Sequence, residues 1–234
     1  MCIRDSYCII RLEKVKTWSE LQARARHNNR TIKQSTDNID ETKTILNRIE
    51  GKVSSPAVIR KFYEKAMDSL SRKPRPDAVK AVELVATFSN PMKDVLTKQQ
   101  QDDYFEKTLE HLDKKFGKNN RMGSWIHYDE ETPHLHVFYL PIDQNKVLNF
   151  KSFLNGAAQF SKFQTEFHEE VGSQFGLERG VIREEKKKHV SVKAYKRALM
   201  DKEIDLREVD EAKAGLEALR LANSMQDERL QARE

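Results

Sequence analysis

Three of the chain's seven histidines, His127, His134 and His136, fall within ten consecutive residues. Neutral imidazole is the commonest side-chain ligand for a divalent metal, so their geometry matters first. His134 and His136 flank one leucine and open the apolar run Val137-Phe138-Tyr139-Leu140, which reads as a β-strand. Alternate side chains of a strand leave the same face, so these two rings project together. Trp125-Ile126-His127 reads as the end of a preceding strand, and residues 129–133 as the turn between two antiparallel strands. Pro133 at the first residue of the second strand removes no central ladder bond. Such a hairpin returns His127 beside the pair. Three imidazoles from neighbouring strands make an open-sided metal site, with positions left for water or substrate. Imidazoles alone suit zinc, whereas work on phosphate in an oxygen-rich setting suits manganese or magnesium.

Helices and strands must carry this hairpin. Residues 7–11 read as a buried first strand. Thr17 and Glu20 have capping-box spacing, so a helix runs from there to about His27 and ends at Asn28-Asn29. Residues 33–41 read as loop. Pro56 opens a helix to about Leu70, with Val58, Ile59, Phe62 and Met67 as its apolar positions. Residues 79–89 read as a strand. Residues 97–116 form an amphipathic helix on Phe105, Leu109, Leu112 and Phe116, with Gly117 as its C-terminal glycine. The hairpin spans about residues 124–142. A further helix is expected over 153–175, its stripe Phe160, Phe163, Phe167, Val171 and Phe175 belonging to the core. The fold class is therefore α+β, an antiparallel-rich sheet covered by helices. From about Val190 the composition turns to Ala, Glu, Lys, Arg and Leu without proline, which reads as a helical extension, expected to be truncated at Glu234. Its apolar positions keep no strict heptad, and dimer or partner contact through it is the reading.

The 234 residues suffice for one sizeable domain, here 7–189, plus that extension, 190–234; residues 1–6 fit nothing downstream and read as a non-native scar. With 34% charged residues and a mean hydropathy of −0.78, no apolar run approaches a membrane span. Cys2 and Cys8 make no disulfide framework, and no secretory signal is read, so a reduced cytoplasm is expected. The net charge is +5, gathered in clusters: Arg24, Arg26, Arg30 and Lys33 without an acid between Leu21 and Ser35, Arg72-Lys73-Pro74-Arg75, and Lys186-Lys187-Lys188-His189. Clusters of this kind beside a metal site point to a nucleic-acid partner.

The pattern His127-x-Asp129-Glu130-x-Thr132-Pro133-His134-x-His136 resembles the metal motif of the Mob/Pre plasmid mobilisation relaxases (MOBV), a group of HUH endonucleases. His27-Asn28-Asn29-Arg30 is similar to the family motif that carries a nucleophilic histidine, and Arg72-x-x-Arg75-x-Asp77-Ala78-Val79 to its arginine motif. Leu177-Glu178-Arg179-Gly180 and Tyr195-Lys196-Arg197-Ala198 match further segments, so the resemblance covers about residues 7–203. Some members carry a tyrosine after the first helix, where this chain has Arg48; that departure favours His27.

The resemblance implies strand-specific nicking and rejoining of plasmid DNA at an origin of transfer. His127, His134 and His136 would hold Mn2+ or Mg2+. His27 would attack the scissile phosphate and form a covalent 5′ adduct. Glu130 would orient a ligand or a metal-bound water. Arg26, Asn28, Arg30, Arg72 and Arg75 would lie against the DNA. Two alternatives stay open: a rolling-circle replication initiator that uses a tyrosine, for which Tyr63 on a helix is the test, and a DNA-binding recombination or mobilisation factor that does not nick. His111 and His168 are expected at helix surfaces or boundaries.

Overall fold

In the computed structural model the described residues are 6–31, 39–50 and 55–180. The elements, in order, are β1 (Tyr7–Val15), α1 (Trp18–Asn28), β2 (Arg48–Glu50), α2 (Pro56–Asp68), β3 (Ala81–Phe88), α3 (Lys98–Phe116), β4 (Arg121–His127), β5 (His134–Tyr139), α4 (Gly156–Glu170) and β6 (Glu178–Arg179). A 3-10 segment, Glu41–Leu46, precedes β2. The helical extension expected from Val190 and the basic run ending at His189 lie outside the described residues, as do residues 1–5 of the suspected scar.

Six strands form one sheet in the order β2-β4-β5-β3-β1-β6. Every pairing is antiparallel except β1 with β6. This is the antiparallel-rich α+β architecture that the strand pattern requires. β3 buries Val82, Leu84, Ala86 and Phe88 on one face against α3 and α4, where Tyr104, Phe105, Leu112, Phe116, Phe163 and Phe167 close the core. Each such aromatic contributes about 1.5–3 kcal/mol on leaving water. The other face carries Trp125, Phe138 and Leu140 beneath α1 and α2, which supply Leu21, Ala25 and Ile59. Helices therefore cover both faces of the sheet.

Local signals set the helix ends. Thr17 and Glu20 form a reciprocal capping box at α1, and Thr97 and Gln100 form another at α3; each cap contributes about 1 kcal/mol. Gly117 ends α3 at φ +87°. The helix expected over 153–175 is shorter: it begins at Gly156 and ends at Glu170, and a separate 3-10 turn, Gly172–Phe175, follows. The break lets the chain pass close to β1. A Cβ on Gly172 would lie 2.6 Å from the Cys8 sulfur. No described helix is long and apolar enough to cross a membrane.

Candidate metal centre

β4 and β5 pair His127 with His134 and Trp125 with His136. β5 in turn sets His134 beside Thr87 and His136 beside Val85 of β3. Period-two alternation puts all three rings on the face that α1 and α2 cover. Their ring centroids are 4.9–5.2 Å apart.

One nitrogen of each ring is tied to an oxygen. His127 Nε2 lies 2.9 Å from the Asn28 carbonyl, His134 Nδ1 2.9 Å from the Thr132 carbonyl, and His136 Nδ1 3.0 Å from Glu83 Oε1. Each of those nitrogens donates, which assigns the lone pair to the other: Nδ1 of His127, and Nε2 of His134 and His136. His127 Nδ1 and His134 Nε2 are 3.3 Å apart. Two nitrogens on one cation, each at about 2.1 Å, stand about 3.0–3.4 Å apart at octahedral to tetrahedral angles. One ligand atom from each of the three histidines lies within 4.8 Å of the others. The donor set therefore fits a divalent cation. His127, Asp129 and Glu130 form a second candidate group among the described residues, but the Asp129 carboxylate already serves four donors.

Burial keeps two of these rings, His127 and His134, neutral. Burial, reinforced by His136, Arg30 and His134, holds His127 down to about 2. Burial and His136 lower His134 to about 4. An imidazole must be unprotonated to bind metal, and burial supplies that condition near neutral pH.

Glu83 is a residue that sequence reasoning did not single out. It is 4% exposed in the middle of β3. It accepts from His136 and from Arg24, with Asn28 Nδ2 3.4 Å away. Burial opposes its charge, but the hydrogen bonds from His136 and Arg24, with the Arg24 charge, outweigh it and lower its pKa. A carboxylate behind a ligand histidine fixes the ring's tautomer and orientation. The only signal in the sequence was one acid in an apolar strand.

α1 delivers a fourth imidazole. The His27 ring lies 6.2 Å from that of His127 and 6.0 Å from that of His136, steeply inclined to both. Arg30 follows at φ +54°, a left-handed conformation rare for arginine. Its Nη1 is 3.4 Å from His27 Nε2. Its guanidinium also forks onto Asp129 and reaches Glu130 at 2.6 Å. Glu130 Oε1 stands 3.7 Å from His134 Nε2 and 4.0 Å from His127 Nδ1. His27, Glu130, His127, His134 and His136 thus converge on one place.

The expected DNA contacts divide. Arg30 is 10% exposed at its side chain and ion-pairs with two carboxylates, Asp129 and Glu130. Asn28 is buried at 3%, its carbonyl receives His127 and its amide faces Glu83. Arg26 is exposed on α1. Arg72 and Arg75 line a cleft with Lys14, Lys73 and Lys151. That cleft lies at the Ala81 end of β3, about 20 Å along the strand from Thr87 beside His134. Tyr63 packs 5.6 Å from Trp18 in the second core. His168 bonds the Leu177 carbonyl at a half-buried position. His111 is not at a surface: it is 6% exposed between Phe163 and Phe167, with Nδ1 3.1 Å from Glu170.

Comparison with known proteins agrees with this geometry. A family model described as "Plasmid recombination enzyme" (Mob_Pre) matches residues 4–197. A plasmid recombination enzyme type 3 of Staphylococcus aureus is 31% identical over 196 residues, covering 82% of this chain and 48% of that protein. A plasmid recombination enzyme of Bacillus thuringiensis is 29% identical over 219 residues, covering 91% and 47%. The chain spans about half the length of the curated relatives it matches. Among solved structures, a Mn-bound crystal structure of the MobM relaxase domain on plasmid pMV158 oriT DNA superposes with a TM-score of 0.72 at 25% identity, covering 82% of this chain and 99% of that one. A second Mn-bound complex gives 0.70 at 26%.

Proposed function

The chain belongs to the Mob/Pre family of plasmid recombination enzymes, and from that premise we propose that it is a relaxase. It nicks and rejoins one strand of plasmid DNA at an origin of transfer, in the cytoplasm, for mobilisation or recombination. The observation that carries the reading is the fourth imidazole: His27, on a separate helix, faces the three-histidine centre at ring distances of 6.0 and 6.2 Å.

His127, His134 and His136 would hold a divalent ion, manganese or magnesium, the former present in the related crystal structures. When bound, that ion polarises the scissile phosphate and offsets the charge that grows on its oxygens. His27 attacks phosphorus in line as a neutral imidazole. A P–N bond forms and the bond from phosphorus to the 3′ oxygen breaks. The proton shed by the imidazole balances the one the departing 3′ oxygen gains. The product is a 5′ phosphoramidate and a free 3′ hydroxyl, and the reverse step rejoins the strand. Glu130 orients the ligand rings or a water at the centre, and Glu83 holds the His136 ring. Arg26 and the cleft of Lys14, Arg72, Arg75 and Lys151 bind phosphates of the same DNA away from the reacting bond. The nicking activity is assigned to residues 7–189.

Relaxation of supercoiled origin-bearing plasmid with Mn2+ tests this. His27→Ala abolishes relaxation and Tyr63→Phe leaves it intact, and the covalent adduct is acid-labile and base-tolerant. Loss with Tyr63→Phe instead would indicate a tyrosine initiator. No relaxation by the wild-type chain under any divalent ion would leave a DNA-binding factor without nicking activity.

A further inference from the structure

Asp129 is fully buried, two residues after a metal-ligand histidine. Its carboxylate accepts from four donors on two other segments. Arg30 gives Nε at 3.0 Å and Nη2 at 2.7 Å; Thr44 gives its hydroxyl at 3.0 Å; Asn47 gives Nδ2 at 2.7 Å. Its carbonyl takes the Asp40 amide at 2.7 Å, and Asn47 Oδ1 accepts from the amide of the preceding residue, Tyr128 N, at 2.7 Å. One carboxylate therefore fastens the end of α1, the 39–47 segment and the hairpin turn to one point. The fork onto Arg30 is the bidentate geometry that lysine cannot copy. It also offsets the left-handed backbone of Arg30, which costs about 1 kcal/mol or more and persists only where surroundings over-determine it.

We infer that Asp129 is a positioning residue for the attacking histidine. By fixing the Arg30 guanidinium it sets Nη1 against His27 Nε2 at 3.4 Å, and so sets where that ring stands before the three-histidine centre. The inference rests on the proposed attack by His27. Small errors of placement are costly in such a step, because a reacting atom displaced by about 1 Å loses on the order of 100-fold in rate.

Three quantities are measured on the full chain: Mn2+ affinity by calorimetry, origin oligonucleotide affinity by fluorescence anisotropy, and the single-turnover nicking rate with both saturating. Asp129→Asn keeps the shape and removes the charge. Both affinities should stay within about threefold while the rate falls roughly 30- to 100-fold. Arg30→Lys should lose a similar factor. The double variant should be within about threefold of either single one, because the residues act as one unit. A rate for Asp129→Asn equal to wild type, or a double variant whose loss is the product of the two, overturns the inference. A merely structural role would lower the melting temperature or the affinities and leave the saturated rate alone. Should Asp129→Asn fail to fold, Thr44→Val removes one donor from the same carboxylate. It should slow nicking about 3- to 10-fold at saturation, with both affinities within about threefold, and an unchanged rate overturns the inference. Nicking by His27→Ala would locate the failure in the assignment of the nucleophile. An inactive His27→Ala beside a fully active Asp129→Asn would locate it in the positioning role alone.

Discussion

Replacing Glu83 by glutamine separates the metal centre from its support. Glu83 Oε1 receives His136 Nδ1 at 3.0 Å, while Arg24 bonds the other oxygen. The amide keeps the volume and one acceptor but loses the charge. A hydrogen bond to a charged acceptor contributes about 1.5–3 kcal/mol and a neutral one about 0.5–1.5. The difference, about 1–1.5 kcal/mol, falls on the orientation and basicity of the His136 ring, so Mn2+ should bind about 10-fold more weakly, at the low end of the losses usual for such supporting residues. Folding should suffer less, because Arg24 keeps Glu13 at 2.6 Å. Titration calorimetry with Mn2+ at pH 7.5 measures the affinity, and thermal unfolding with the metal chelated measures the fold. An Mn2+ affinity within twofold of wild type would refute the reasoning that Glu83 governs His136. So would a fall in melting temperature with no change in affinity.

Metal-free protein should lose stability as pH falls below about 6.5, because the unfolded chain then takes up protons that His134, held to about 4, and His127, held to about 2, refuse in the fold. The gap of about 2.5 at His134 alone corresponds to roughly 3 kcal/mol by pH 4, and a melting temperature flat between pH 7 and 5 in chelator would contradict it. Arg72→Ala with Arg75→Ala should reduce the slope of log affinity against log salt by about 1.5, at 0.7–0.9 per phosphate contact, without altering Mn2+ binding; anisotropy across a salt series reads both. Phe163→Ala, fully buried between α3 and α4, should cost about 3–5 kcal/mol, read from the urea midpoint.

What could be read from sequence was what neighbours along the chain decide. Thr17 and Glu20 form their cap within one turn, and the histidine hairpin closes over a few residues, so both followed from spacing. The rest depended on contacts between distant segments. β2 is three residues long at a sheet edge, with Ile49 49% exposed, and no periodicity marks it. Glu83 gains its meaning only when β3 and β5 fall into register and His136 reaches it. Nothing local shows that Arg30 pairs with Asp129, 99 residues later. Among three consecutive acids, spacing could not say that Asp129 points to Arg30 and Thr44 while Glu131 faces Asn90. The break after Glu170 came from the approach of Gly172 to Cys8, again a long-range cause.

The hairpin pairs His127 directly with His134 and holds its turn from both sides, through Thr87 to the Pro133 carbonyl and Lys93 to that of Glu131. Surface loops usually tolerate insertions, but here the frame of the pairing sets the ligands. A slip of the β4–β5 register by one residue would send alternate rings to the opposite side of the sheet and dismantle the ligand set at a stroke. Epitope tags and permuted termini therefore belong elsewhere on the molecule, and length variation at this bend is an early mark of lost chemistry.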